Sequence, residues 1–292
     1  MVQYGVNKGL KKMPELPEVE TIVGDLAPLL TGARIIRVQV WDPRLVRFPG
    51  AEDFNRRLTG RIIRTMTRRG KYVVVELDQG LTWLVHLRMT GRLLTRLEPG
   101  ERHQRAQFTL DNGVNLSYCD LRRFGDMWAF WPGEEEHLGG FQTLGPEPLG
   151  EEYNPDWLLA AFAGRKAAVK ALLLNQSIVA GLGNIYADEA LFLAGIHPAR
   201  SGCSLTAEEC GTLAAAVKTV IAGAISSRGT TFRDYRSGLG TVGNYQQRLQ
   251  VYGRAGEPCF SCGETLERMR IGGRTSVFCP RCQLQVRQAG EI

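Results

Sequence analysis

Four cysteines near the C-terminus have the spacing of a metal site. Cys259 and Cys262 form one C-x-x-C pair, and Cys279 and Cys282 form a second. Two such pairs can place four thiolates tetrahedrally around one zinc ion, and this paired spacing disfavours the alternative of four buried or redox-active thiols. Because four protein ligands leave no position for water, such a zinc ion would be structural. The segment between the pairs predicts a β-hairpin over 266–278 that turns at its two adjacent glycines.

Near the N-terminus, the sequence MPELPEVET occupies residues 13–21. Pro17 suits the first position of a helix, and Glu18 falls in the first turn, where the helix dipole favours a carboxylate. Apolar residues then recur at helical spacing up to Leu26, and Gly32 marks the end of the helix. From the residues alone, capping of the helix dipole is a sufficient explanation of Glu15 and Glu18.

Further candidate residues have ordinary structural explanations. Lys71 lies in the basic turn RRGK between two predicted strands, where a lysine is usually solvent-exposed. His86 is flanked by apolar strand residues, as a core histidine would be, and Met89 and Phe124 are core residues by type. Asn184 lies in a glycine-flanked turn between helices, which can present N–H groups and a side-chain amide to a phosphate.

The elements that must position these residues predict an α+β fold. An N-terminal helix precedes strand-forming segments over 33–131, then a linker rich in Gly, Pro and Glu, and then helices over 157–227. We predict a β-sandwich, a helical domain and a β-hairpin zinc ribbon. The predicted boundaries are an N-terminal extension (1–12), the β-sandwich domain (13–135), a linker (136–154), the helical domain (155–250) and the zinc ribbon (251–292).

The composition indicates a polyanionic partner. The 292 residues carry a formal net charge of +6 and the sequence pI is about 9.0. Nucleic acid is the first candidate partner, and a basic protein without such a partner is the alternative. No stretch of ~20 consecutive apolar residues and no secretory signal is present, so we expect a cytoplasmic protein without membrane contact.

Several segments together resemble the bacterial formamidopyrimidine-DNA glycosylases. They are the MPELPEVET motif, RGKY (69–72), HLRMTG (86–91), DLRRFG (120–125), a segment over 176–198 containing GLGNIY, and CPRCQ at the zinc ribbon. The resemblance covers the chain from Met13 onward. It implies a bifunctional base excision repair enzyme that excises oxidised purines, such as 8-oxoguanine and formamidopyrimidines. It also implies an AP lyase that cleaves the strand by β,δ-elimination, and a helix–two-turn–helix element.

The resemblance also implies roles for individual residues. Pro14 would be the nucleophile, whose free amine forms a Schiff base with the sugar, and Glu15 would be the general acid/base. Lys71 would contact the phosphate beside the lesion and assist base excision, while Glu18 would orient the site. The implied DNA contacts are phosphate contacts by His86, Asn184 and Arg274, and filling of the void left by the flipped base by Met89, Arg122 and Phe124.

The sequence departs from the family pattern at three places. The loop over 237–245 lacks some residues common in the family's lesion-recognition loop, and Arg88 replaces a residue that is more often glycine. Both differences bear on lesion preference. The third departure is the extension, because an internal proline has no amine and cannot form a Schiff base. We therefore expect the active chain to begin at Pro14.

Two other functions remain alternatives. One is an oxidised-pyrimidine glycosylase of the related endonuclease VIII branch, with the same nucleophile and zinc ribbon. The other is a non-catalytic DNA-binding zinc protein, if the extension is retained. For the preferred reading we expect one structural Zn²⁺, a double-stranded DNA partner that holds an oxidised base or abasic site, a monomer, and association with the bacterial nucleoid.

Overall fold

The computed structural model describes residues 13–97, 100–230 and 243–285. The chain forms two compact units, one from Met1–Thr143 with Ser227–Tyr245 and one from Leu144–Ser226 with Gln246–Ile292. The extension and most of the predicted recognition loop lie outside the described residues. The first unit thus includes residues 227–230 and 243–245, and the predicted domain boundaries stay predictions.

The first helix, α1 (Leu16–Leu30), begins and ends where the sequence predicts. Pro17 lies at its start, and Gly32 follows its end with a φ of +87°, a left-handed conformation that glycine adopts without steric cost. One apolar face of the helix is buried, formed by Leu16, Val19, Ile22, Leu26 and Leu30. Burial of this face fixes the orientation of the helix, and with it the place of the residues at its N-terminus.

Two sheets form most of the rest of the first unit. The four-stranded sheet contains β1 (Ile35–Val40), β6 (Gly91–Leu94), β7 (Gln104–Leu110) and β8 (Asn115–Asp120) in the order β1-β7-β8-β6. The five-stranded sheet contains β2 (Val46–Phe48), β3 (Ile63–Arg69), β4 (Tyr72–Leu77), β5 (Thr82–His86) and β9 (Asp126–Phe130) in the order β2-β9-β5-β4-β3. Trp83 of one sheet packs on Phe108 of the other, with ring centroids 4.3 Å apart. The predicted β-sandwich is confirmed.

A short helix, α2 (Ala51–Leu58), interrupts the region that the sequence predicts to be strands only. Phe54 and Leu58, one helical turn apart, are fully buried. Acidic residues occupy its first turn and arginines its last turn, which complements the helix dipole. The helix has only two turns and a single pair of apolar residues at helical spacing. This is too short a pattern for helical periodicity to predict the helix.

The second unit contains helices and a hairpin, as predicted. Its helices are α3 (Pro155–Phe162), α4 (Val169–Leu173), α5 (Asn184–Leu193) and α6 (Ala207–Ser226), and its hairpin strands are β10 (Glu267–Ile271) and β11 (Arg274–Phe278). Gly272 and Gly273 join the strands with φ values of +56° and +76°. A two-residue turn of type I′ requires positive φ at both central positions, which explains the paired glycines.

Helix α6 is long and apolar enough, by length and composition only, to cross a membrane. Its apolar side chains, including Leu213, Val217 and Ile221, are buried. The helix packs against α3 and α5 within the second unit. Its composition is therefore that of a core helix.

Candidate active site and nucleic-acid contacts

Two glutamates cap the N-terminus of α1, and the side chain of each forms a hydrogen bond with the backbone N–H of the other. Pro14 is buried and precedes Glu15, which is the N-cap residue. The Glu15 side chain accepts the N–H of Glu18, and Glu18 Oε2 accepts the N–H of Glu15 at 2.9 Å, so the two form a capping box. The two residues are 5% and 3% exposed. Capping thus explains both residues structurally, and it also holds two buried carboxylates beside Pro14.

Glu18 also contacts a second segment of the same unit. Its Oε1 accepts the N–H of Thr230 at 2.7 Å. Gly229 precedes Thr230 with a φ of +78°, and a Cβ on this glycine would lie 2.7 Å from Glu18 Oε1. Arg228 forms an ion pair with Asp25 of α1 at 2.6 Å. The first helix and residues 228–230 are therefore held together at two points, one of them the capping box.

Lys71 lies in the two-residue turn between β3 and β4. Gly70 provides the positive φ of +57° at the first turn position. The lysine is only 6% exposed, in contrast to the solvent-exposed lysine that its position in a basic turn predicts. Tertiary packing therefore encloses Lys71, which its position in a basic turn does not predict.

His86 ends β5 and is 5% exposed. Its ring packs edge-on against Tyr72, with centroids 4.6 Å apart. Nδ1 accepts the N–H of Arg88 at 3.0 Å, which leaves the ring hydrogen on Nε2. Burial, together with the positive charges of Arg88 and Lys71, lowers the pKa of His86 to about 3. The residue is thus a neutral hydrogen-bond donor at physiological pH.

Arg88 has a backbone conformation that favours glycine and a side chain that forms an ion pair with a buried carboxylate. Its φ is +52°, in the left-handed region where glycine is the least costly residue. Its guanidinium pairs with the buried carboxylate of Asp126 at 2.7 Å, and Arg47 pairs with the other oxygen of that carboxylate. This ion pair is an interaction that a glycine could not make, and it fixes the residue next to Met89.

Met89, Arg122 and Phe124 come together although they lie on two loops. Arg122 Nη1 lies 3.0 Å from Met89 Sδ, and its guanidinium carbon lies 4.6 Å from the centroid of the Phe124 ring. Phe124 is 47% exposed and Met89 is half-buried. Neither is a core residue, in contrast to the interpretation from residue type. The three side chains form an exposed group that we call the wedge cluster.

In the second unit, the structure brings Asn184 to the hairpin that carries Arg274. Asn184 begins α5 and its Nδ2 donates to the carbonyl oxygen of Thr275 at 3.0 Å. Its Oδ1 is buried and, among the described residues, has no hydrogen-bond partner. Arg274 is exposed at the start of β11. The two predicted phosphate contacts of this unit are therefore on adjoining elements.

Sequence reasoning missed the buried ion pair that holds this arrangement. Lys170 of α4 is fully buried, and its Nζ lies 2.7 Å from Asp188 Oδ1 and 2.9 Å from the carbonyl oxygen of Thr275. Asp188 also accepts the Ser276 hydroxyl at 2.7 Å and the Val277 N–H at 3.1 Å. The available signal was a single lysine inside the otherwise apolar segment VKALL of α4.

The four predicted zinc ligands meet in one cluster. Their Sγ atoms all lie within 4.8 Å of one another, with 3.9 Å between Cys259 and Cys282 and 3.5 Å between Cys262 and Cys279. Tetrahedral Zn–S bonds of about 2.3 Å imply S–S distances of about 3.8 Å. Burial opposes ionisation of Cys259, but backbone N–H groups of Ser261 and Cys262 lower the pKa of its thiol to about 7. The cluster fits one structural Zn²⁺.

Three family models match successive parts of the chain. The formamidopyrimidine-DNA glycosylase N-terminal domain matches residues 13–127, the H2TH domain of that glycosylase matches 144–236, and the zinc finger found in FPG and IleRS matches 256–284. A formamidopyrimidine-DNA glycosylase of Desulforamulus reducens is 45% identical over 274 residues, which cover 93% of this chain and 99% of the relative.

Solved structures, several of them with DNA, are similar to nearly the whole chain. The MutM (FPG) protein of Thermus thermophilus has a TM-score of 0.85 at 39% identity, covering 94% of this chain and 100% of that one. A variant of Lactococcus lactis FPG in complex with Fapy-dG containing DNA has a TM-score of 0.86 at 35% identity, with coverages of 93% and 100%. The chain therefore belongs to the formamidopyrimidine-DNA glycosylase family and is a DNA repair glycosylase with the AP lyase activity characteristic of that family.

Proposed function

We propose that the enzyme excises oxidised purines from duplex DNA with the secondary amine of Pro14 as its nucleophile. The amine attacks C1′ of the damaged nucleotide, the base leaves, and the ring-opened sugar remains bound through a cationic iminium. An α-amino group titrates near pH ~8, so a larger fraction of it than of a lysine is unprotonated at neutral pH. The iminium acidifies the C2′ proton, which permits elimination of the phosphates on both sides.

We assign proton transfer to Glu15. Its buried carboxyl group follows Pro14 directly and can protonate the opening deoxyribose and later move protons during elimination. Glu18 holds Glu15 in place, since it bonds the Glu15 backbone N–H and the segment at Thr230. Lys71 supplies a positive charge for the phosphate beside the lesion and assists base excision.

The proposal requires that Pro14 be the first residue of the active chain. In the printed sequence the Pro14 nitrogen is part of a peptide bond and is not nucleophilic. Met13 immediately precedes a small residue, as an initiator methionine does when it is removed. A chain that retains residues 1–13 would bind DNA without forming the iminium, which is the non-catalytic alternative.

We assign DNA contacts to residues of each unit separately. In the first unit, neutral His86 donates to a phosphate through Nε2, and the wedge cluster of Met89, Arg122 and Phe124 fills the void in the duplex. In the second unit, Asn184 and Arg274 contact phosphates. An exposed aromatic ring with a cation beside it suits the void. The ring replaces base stacking, and the cation pairs with the orphaned base.

An oxidised-pyrimidine substrate is the second candidate. The motif Leu16-Pro17 and the recognition loop that the sequence predicts over 237–245 favour the purine branch. For oligomeric state and location, we propose that the enzyme is a monomer of the bacterial cytoplasm. It acts at the nucleoid and has no contact with a membrane.

The observation that carries the proposal is the buried capping box directly after Pro14. To test it, a chain beginning at Pro14 is incubated with duplexes that hold 8-oxoguanine opposite cytosine or thymine glycol. Preferential cleavage of the 8-oxoguanine duplex is expected. Preferential cleavage of thymine glycol would assign the pyrimidine branch, and cleavage of neither duplex, with binding to abasic DNA intact, would contradict the enzymatic proposal.

A further inference from the structure

The two loops that carry the wedge cluster meet at one buried carboxylate. Asp120, the last residue of β8, is 1% exposed. It accepts the Thr90 hydroxyl and the backbone N–H groups of Arg122 at 3.1 Å and Gly125 at 2.8 Å. Thr90 directly follows Met89, while Arg122 to Gly125 span the second loop. One side chain therefore joins both loops.

The Thr90 hydroxyl is a second junction between the same loops. It donates to Asp120 and accepts the N–H of Arg122 at 3.0 Å. Thr90 is 8% exposed, so these bonds have little competition from water. Loss of this hydroxyl would leave the Arg122 N–H with one acceptor fewer and would disconnect the loop of Met89 from Asp120.

Tyr118 packs closely against one glycine at the edge of each loop. A Cβ on Gly91 would lie 2.3 Å from the Tyr118 hydroxyl oxygen, and one on Gly125 would lie 1.6 Å from it. The tyrosine is fully buried. The two glycines are thus required by close packing, and the phenol ring fixes the spacing of the loops that Asp120 and Thr90 connect.

We propose that Asp120 and Thr90 are positioning residues that hold Met89, Arg122 and Phe124 as one preformed wedge. This inference rests on the proposed role of the cluster in filling the void. A wedge already ordered before it meets DNA loses less conformational entropy on insertion than one carried by two independent loops. Asp120 and Thr90 therefore act on extrusion of the base from a duplex and leave the amine chemistry at Pro14 unaffected.

The test compares Thr90→Val, which has the same shape without the hydroxyl, with Thr90→Ser, which keeps it. Each chain begins at Pro14 and is assayed for single-turnover base release from an 8-oxoguanine duplex and for borohydride trapping on a single-stranded abasic oligonucleotide. The single strand has no base stack to open. Thr90→Val is expected to slow duplex base release about tenfold, as loss of one buried hydrogen bond would, with trapping unchanged. Thr90→Ser is expected to match the wild type.

A fluorescent 2-aminopurine opposite the lesion reports insertion of the wedge directly. Its fluorescence change is expected to be lost in Thr90→Val and retained in Thr90→Ser. Asp120→Asn, which keeps one carbonyl acceptor, is expected to behave as Thr90→Val does, and thermal melting of both variants checks their folding. An unchanged duplex rate, or an equal loss of duplex release and single-strand trapping in folded variants, would overturn the inference. Absence of trapping by the wild type would instead contradict the proposed function.

Discussion

At the scale of single residues, His86 shows how burial selects a chemical role. The Arg88 N–H occupies Nδ1, and burial together with two nearby cations keeps the ring neutral. Under the proposed function, the neutral imidazole would donate one directed hydrogen bond to a phosphate and would add no charge beside Lys71. The structure confirms the buried position of His86, and its phosphate contact stays a prediction.

The pKa of His86 predicts an acid sensitivity of the fold. Its folded pKa of about 3 lies below the ordinary value of 6.5, so the unfolded state binds the proton first as pH falls. Stability is therefore lost as the pH falls from 6.5 toward 3, by about 2 kcal/mol at about pH 5. Urea unfolding at neutral and acidic pH should show that His86→Gln lacks this loss. An identical pH dependence of variant and wild type would contradict the assignment.

At the scale of elements, the buried pair Lys170–Asp188 connects two helices and the hairpin. Lys170→Met would leave the Asp188 carboxylate buried without its cation, and should destabilise the protein by about 3–5 kcal/mol. The double variant with Asp188→Asn should regain part of this loss. Lys218→Met on α6, where the lysine is half-buried, is the matched control and should change stability by less than about 1 kcal/mol. Chemical denaturation measures all three, and equal effects at Lys170 and Lys218 would contradict the role of the pair.

Elements with long or strongly patterned sequences could be predicted, and those fixed by distant contacts could not. The apolar repeat of α1, the paired glycines of the hairpin and the cysteine spacing each depend on local sequence. The helix α2 has a single apolar repeat, and the junction of Thr90 with Asp120 joins residues thirty positions apart. The exposure of Phe124 and the burial of Lys71 depend on such tertiary contacts, which residue type does not determine.

At the scale of the whole molecule, the zinc ribbon belongs to the second unit through several buried bonds. Glu189 of α5 accepts the N–H groups of Gln250, Val251 and Tyr252 at 2.8 to 3.0 Å. Gln283 donates to the carbonyl oxygen of Ile196 at 2.9 Å and accepts the N–H of Cys279. The metal therefore stabilises more than a short hairpin.

Removal of zinc should accordingly affect the two units unequally. Chelation, or Cys279→Ser, is expected to increase hydrogen exchange in β10, β11 and α5, because metal binding supplies folding free energy to the ribbon and α5 is bonded to it. Exchange in α1 and the two sheets should stay close to that of the zinc-loaded protein. Increased exchange confined to the hairpin would show that the ribbon is an independent module, and equal increases in both units would contradict the unequal response.

The central claim is that the Pro14 amine is the nucleophile, and peptide mapping of the borohydride-reduced adduct tests it most directly. A chain beginning at Pro14 is trapped on an 8-oxoguanine duplex and digested, and mass spectrometry locates the nucleotide remnant. We expect the remnant on the N-terminal peptide, at the Pro14 nitrogen, and no adduct from a chain that retains residues 1–13. A remnant on Lys71 or another lysine, or an adduct formed by the extended chain, would contradict it.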